Sequence, residues 1–129
     1  MIIPPDRAFS AACSHSGATT FTHCPLPHAP DIQAIADNLS ADGRYDLFRL
    51  ARKFVKPPQK PALRFDCGQD DFLLKANRLF HAHLKKLEIK HVYREYHGGH
   101  TWKYWDLHVR ESIEFILTNL KFKRNQESI

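Results

Sequence analysis

Two short stretches of the chain place an acid and a base just ahead of helical sequence. Gly68-Gln69-Asp70-Asp71 separates an alternating apolar run from an amphipathic one, and His97-Gly98-Gly99-His100 stands before the last amphipathic run. A carboxylate in one loop that orients an imidazole from the next makes the histidine a general base. The residue types alone leave another reading open, because Asp70 and Asp71 equally suit the cap of the helix that follows. A third stretch, Ser14-His15-Ser16-Gly17, adds two hydroxyls and another imidazole. Neither serine sits in a GxSxG elbow, the strained strand-to-helix turn that exposes a nucleophilic hydroxyl, and no such string occurs in the chain.

Other reactive residues carry less. His23, Cys24 and His28 share one loop, but no CxxC or HExxH spacing accompanies them, so no metal and no other cofactor is expected. Cys67 reads as a small buried residue ending a strand, and His81, His83 and His108 as packed or solvated positions on helices.

The elements that must position these loops are clearest in the second half of the chain. Leu63, Phe65 and Cys67 alternate with Arg64 and Asp66, the period of a strand. From Phe72 to Leu87, apolar residues at Phe72, Ala76, Leu79, Phe80, Leu84 and Leu87 fall on one helical face. His91 to Tyr96 is short, aromatic and β-branched, a second strand that stops at the glycine pair. Trp102, Trp105, Val109, Ile113, Ile116 and Leu120 then recur at steps of three or four. That pattern predicts a last helix packed through this stripe, capped by Thr101 and ended by Lys121, Lys123 and Arg124. Strand, helix, strand, helix implies a parallel βαβα unit.

The first half, ahead of Pro57-Pro58 and Pro61, is less regular. Phe9 to Ser14 reads as a strand entering the turn at Ser16-Gly17, His23 to Pro30 as loop, and Tyr45 to Val55 as a helix. Three parallel strands follow, with the reactive loops beyond their carboxyl ends, where open α/β sheets bind ligands. So few helices leave such a sheet incompletely covered, and association through its exposed edge, or a homo-oligomer, is expected.

Size and composition set the outer limits. At 129 residues, with 43% apolar and 26% charged residues, the chain holds one domain at most, 1–129, of the soluble globular kind. No apolar run approaches the length needed to cross a bilayer, and the start lacks a basic segment ahead of an apolar core. Three scattered cysteines suit a reducing compartment, so a cytoplasmic location is expected, with no membrane partner. The net charge of +5 admits nucleic acid as a partner. However, Glu88, Glu95, Asp106, Glu111 and Glu114 interrupt the basic residues from Lys85 onward, so no nucleic-acid partner is expected.

The strings around the acid and base go further. Phe65-Asp66-Cys67-Gly68-Gln69-Asp70-Asp71-Phe72-Leu73, Asn77-Arg78-Leu79-Phe80 and Tyr96-His97-Gly98-Gly99-His100-Thr101-Trp102-Lys103-Tyr104-Trp105 resemble an esterase family of α/β-hydrolases. That family includes esterase D-like S-formylglutathione hydrolases and tributyrin esterases. The resemblance is strongest from Leu63 to Ile116, and the opening Pro5 to Ala18 is similar to the family segment that follows the nucleophile helix. It implies an α/β-hydrolase-like fold, represented by the C-terminal portion of a parallel doubly wound sheet. It also implies hydrolysis of small carboxylic esters or thioesters, with Asp71 as the triad acid and His100 as the base. Asp70 is the rival acid. Trp102 would wall the substrate site, with Ser16 beside it. As encoded, acid and base are present without the nucleophile or the oxyanion donors, so the isolated chain is expected to be inactive. The alternative is a non-catalytic basic α/β module that binds a nucleic acid or protein.

Overall fold

The computed structural model describes residues 9–20, 22–26, 28–40, 42–54 and 61–127. Pro5 to Ala8 and the Pro57-Pro58 pair lie outside these residues, as do the side chains of Lys121, Lys123 and Arg124. The element order is β1 (Ala11–His15), α1 (Pro30–Ser40), α2 (Leu47–Lys53), β2 (Ala62–Gly68), α3 (Leu74–Lys86), β3 (Val92–Tyr96) and α4 (Trp102–Glu127). The three strands form one parallel sheet in the order β1-β2-β3. In register, Cys13 lies beside Arg64 and His15 beside Asp66, while Asp66 lies beside Arg94 and Gly68 beside Tyr96.

Because side chains alternate across a strand, β2 shows two unlike faces. Leu63, Phe65 and Cys67 point toward α2 and α3, where Phe65, Ala51, Leu84 and Ile89 form the buried core with Phe54, Leu63, Phe80, Leu87 and Tyr93 around them. Asp46 starts α2 by accepting the Phe48 N–H at 3.0 Å. The opposite face of β2 carries Arg64 and Asp66, both buried, and α4 covers it.

This second face corrects the expectation for α4. The stripe of Trp102, Val109, Ile113, Ile116 and Leu120 is exposed, with Trp102 at 83%, while Tyr104, His108 and Ser112 turn inward. Only Trp105, half-buried, is partly drawn in. The reason is electrostatic: a buried Arg and Asp on the strand need polar partners, and α4 presents its polar face to supply them. Arg64 Nη1 meets Asp66 Oδ2 at 2.6 Å and Ser112 Oγ at 3.1 Å, and Arg64 Nη2 meets Glu111 Oε2 at 2.9 Å. Burial opposes the Arg64 charge, yet the hydrogen bond and charge of Asp66, with Glu111 nearby, hold the guanidinium pKa above its usual value.

The helix α1 has no counterpart in the sequence reading, which ends its loop at Pro30. Proline at a first helical position followed by Asp31 is a recognised helix start.

Candidate active site

Both reactive loops emerge from the carboxyl ends of neighbouring parallel strands, β2 and β3, and glycines let them touch. A Cβ on Gly68 would collide with the Gly98 carbonyl. Gly98 itself has φ +118°, a conformation that side chains rarely adopt. The Asp70 N–H donates to Gly98 O at 2.9 Å and Gln69 N–H to Tyr96 O at 2.8 Å, so the two loops share a backbone seam.

Across that seam, His100 Nδ1 lies 3.0 Å from Asp71 Oδ2. The Asp71 side chain is fully buried, whereas that of His100 is 38% exposed. Asp71 Oδ1 also accepts the Leu73 N–H at 2.8 Å, fixing the carboxylate from behind. Asp71 is the carboxylate that faces the imidazole, and its other oxygen holds the turn ahead of α3, whose N-cap residue Leu73 has no side-chain cap bond; the rival Asp70 is exposed, tied to the base loop through its backbone. With Nδ1 held by a carboxylate, Nε2 is the ring nitrogen left for a proton-transfer partner, and among the described residues it has none. Phe72 and Trp105 wall the imidazole, with ring centroids 5.0 Å and 4.9 Å away.

Ser16, expected beside the substrate, is 3% exposed and accepts the Trp105 Nε1–H at 3.3 Å. Its contribution to the open face is therefore indirect, through Trp105. It adopts φ +54°, and its N–H is held by Asp66 O at 2.8 Å. Trp102 stands at the open face, edge-on to Trp105 at 5.1 Å. Asn77, wholly buried on α3, donates to Gly17 O at 2.9 Å and pins the loop after β1.

A Ser-His-Asp array, separate from the Asp71–His100 pair, lies beneath α4. His15 Nδ1 meets Asp66 Oδ2 at 2.8 Å, and His15 Nε2 meets Ser112 Oγ at 2.8 Å. The geometry is that of a nucleophile relay, but Ser112 is 4% exposed and is already bonded to Arg64. With no access for a substrate, it is part of the packing of α4. Cys67 is inert for a related reason: burial, with the negative charges of Asp71, Asp66 and Glu95 around it, pushes its thiol pKa up to about 12. No group of three metal-ligating side chains occurs among the described residues. Nor, among those residues, is any helix long and apolar enough to cross a membrane.

The fold can be compared with known proteins on this basis. No protein-family model matches the sequence. A 56-residue segment is 38% identical to an acetyl esterase of Caldicellulosiruptor saccharolyticus, covering 43% of this chain and 21% of that protein. In structure, 84% of the chain overlays 41% of an S-formylglutathione hydrolase (FrmB) from Staphylococcus aureus, with TM-score 0.59 and 24% identity. A ferulic acid esterase is matched over 88% of this chain and 44% of its own length, with TM-score 0.59 and 22% identity. FphF, a fluorophosphonate-binding serine hydrolase of Staphylococcus aureus, is matched over 84% of this chain and 44% of its own, with TM-score 0.63 and 26% identity. Three parallel strands with helices on both faces, overlaid on these proteins, define a partial α/β-hydrolase fold. Within that class the likeness is to esterases, and the chain spans less than half the length of the relatives it matches.

Proposed function

We propose that the chain carries the acid and base of a serine-dependent hydrolase of small carboxylic esters or thioesters, of the esterase D-like kind. Asp71 holds the Nδ1–H of His100, leaving Nε2 unprotonated. Nε2 takes the proton of a serine hydroxyl as the serine oxygen bonds to the substrate carbonyl carbon. The same nitrogen returns that proton to the departing alcohol or thiol, and water then cleaves the acyl-enzyme by the reverse relay. The serine and the oxyanion donors would come from a GxSxG-bearing segment that the 129 residues do not contain. Trp102 would border the substrate on the open side of the imidazole.

The observation that carries this reading is the 3.0 Å contact between a fully buried carboxylate and the ring of a histidine whose side chain stays partly exposed between Phe72 and Trp105. A chimera tests it: the region of FphF matched by this chain is exchanged for residues 9–120, leaving the serine of FphF in place. Turnover of p-nitrophenyl acetate that falls roughly 10³-fold in His100→Ala supports the reading. A folded chimera whose turnover is indifferent to His100 overturns it.

A further inference from the structure

The buried polar cluster under α4 ends at the base loop, and one residue joins them. Tyr104 is 3% exposed and its hydroxyl donates to Asp66 Oδ1 at 2.7 Å. Its ring lies against the Gly98 backbone, where a Cβ would come within 3.1 Å of the tyrosine Cδ2. Its N–H is capped by Thr101 Oγ1 at 3.3 Å, one residue beyond His100. Asp66 and Asp71 belong to the same strand and its loop, so a tie from Tyr104 to Asp66 fixes the head of α4 relative to the acid. The tie acts together with the Gln69–Tyr96 and Asp70–Gly98 backbone bonds, the Trp105–Ser16 bond and the His100–Asp71 bond itself in setting that separation.

We infer that Tyr104 is a positioning residue for the acid–base pair. Its hydroxyl bond to Asp66 is the strut that holds His100 within reach of Asp71. The inference rests on the acid–base reading above. Asp66 is itself immobilised by Arg64 at 2.6 Å and His15 at 2.8 Å, so the strut has a rigid footing. From α4, His108 stacks on Tyr96 at 4.0 Å and lies 4.6 Å from the Tyr104 ring, closing the remaining side. A tie made of one directional hydrogen bond on a fixed carboxylate defines a helix position more sharply than apolar contact does, because it has a preferred length and angle.

The test uses the 129-residue chain with 15N-labelled histidines, examined by NMR at about pH 9, where imidazoles are neutral. A bond to Asp71 selects the Nδ1–H tautomer of His100, and Asp71→Asn should lose that selection. Tyr104→Phe keeps the ring against Gly98 and removes only the hydroxyl. It should lower the excess of the Nδ1–H tautomer by about half or more, with faster exchange of the Asp70 amide at the seam. Ile89→Val, which loosens the core on the other face of the sheet, should leave the tautomer unchanged and so separates positioning from general loss of stability. A Tyr104→Phe chain with wild-type tautomer and Asp70 exchange overturns the inference and leaves the acid–base reading standing. A wild-type chain whose His100 tautomer is indifferent to Asp71→Asn overturns both.

Discussion

Arg64 and Asp66, two positions apart on β2, point to the same side of the sheet and form a 2.6 Å ion pair, with side chains 4% and 0% exposed. Around them His15, Ser112, Tyr96, Tyr104 and Glu111 supply further hydrogen bonds. Removing one partner of such a pair leaves an uncompensated buried charge, so Arg64→Ala should cost about 3–5 kcal/mol. Against a typical total of roughly 5–15 kcal/mol, that cost brings the chain close to unfolding at room temperature. Urea denaturation followed by circular dichroism measures it, and a loss below about 1 kcal/mol would show that α4 is held by other means.

The glycines at the seam are not equivalent. Gly68→Ala drives a methyl into the Gly98 carbonyl, whereas a Cβ on Gly99 would stand 3.5 Å from Asp70 O, an ordinary contact. Gly68→Ala should destabilise by about 1–3 kcal/mol and separate the two loops, while Gly99→Ala stays close to wild type. Thermal melts of the two variants side by side provide the comparison, and equal melting temperatures would contradict the close approach.

Acid should act through Glu95. The bonds from Arg78 lower its carboxyl pKa to about 2 from 4.5 despite the opposing effect of burial, and the Tyr93 hydroxyl adds to the lowering. A carboxylate depressed in the folded state stabilises fully above its unfolded pKa and loses that contribution as pH falls through the folded value. The window therefore runs from about pH 4.5 down to about 2. Glu95→Gln should flatten the stability profile within that window and leave the slope above pH 5 unchanged. An identical acid profile in the variant would remove Glu95 from the account.

A fluorophosphonate probe should leave the purified chain unlabelled. Ser16 and Ser112 are 3% and 4% exposed, and Ser14 sits in no elbow. Intact-mass spectrometry after incubation detects a single adduct, and stoichiometric labelling at any of these serines would show that the 129 residues hold a working nucleophile.

The exposed stripe on α4 and the outer edges of β1 and β3, unpaired among the described residues, together favour association. Concentration-dependent sedimentation is expected, and Ile113→Lys with Ile116→Lys should reduce it while leaving the unfolding midpoint in place, since both positions face outward. A wild-type chain that sediments as a monomer at all concentrations would count against this.

The strands, the order of β2, α3, β3 and α4, and the two loops that meet could be read from period and punctuation. Asp71 and His100 could be named because short strings in fixed order carry them. The inward face of α4 could not, since a helical stripe says that one side is apolar without saying which side meets the sheet. A signal was present in β2, where Arg64 and Asp66 alternate with Leu63, Phe65 and Cys67. A central parallel strand is covered on both faces, so charges at alternate positions there require buried partners, and Tyr104 and Ser112, two four-residue steps apart on one face of α4 with His108 between them, provide them. The hydroxyl of Ser16 was out of reach for another reason: its partner, Trp105, is 89 residues away in sequence.

The reversal of α4 changes what substitution does along its length. At Tyr104 and Ser112 an apolar replacement, usually harmless inside a protein, strips partners from Asp66 and Arg64, and at His108 it removes the contact with Glu111, which itself pairs with Arg64. At Val109, Ile113 and Leu117, in contrast, polar replacement leaves the fold as it is. Selection for solubility and selection for folding therefore act on different sides of one helix. A library randomised across α4 would retain hydrophilic residues at the interior positions and accept them freely at the exterior ones, the opposite of the pattern expected for a helix packed through its apolar stripe.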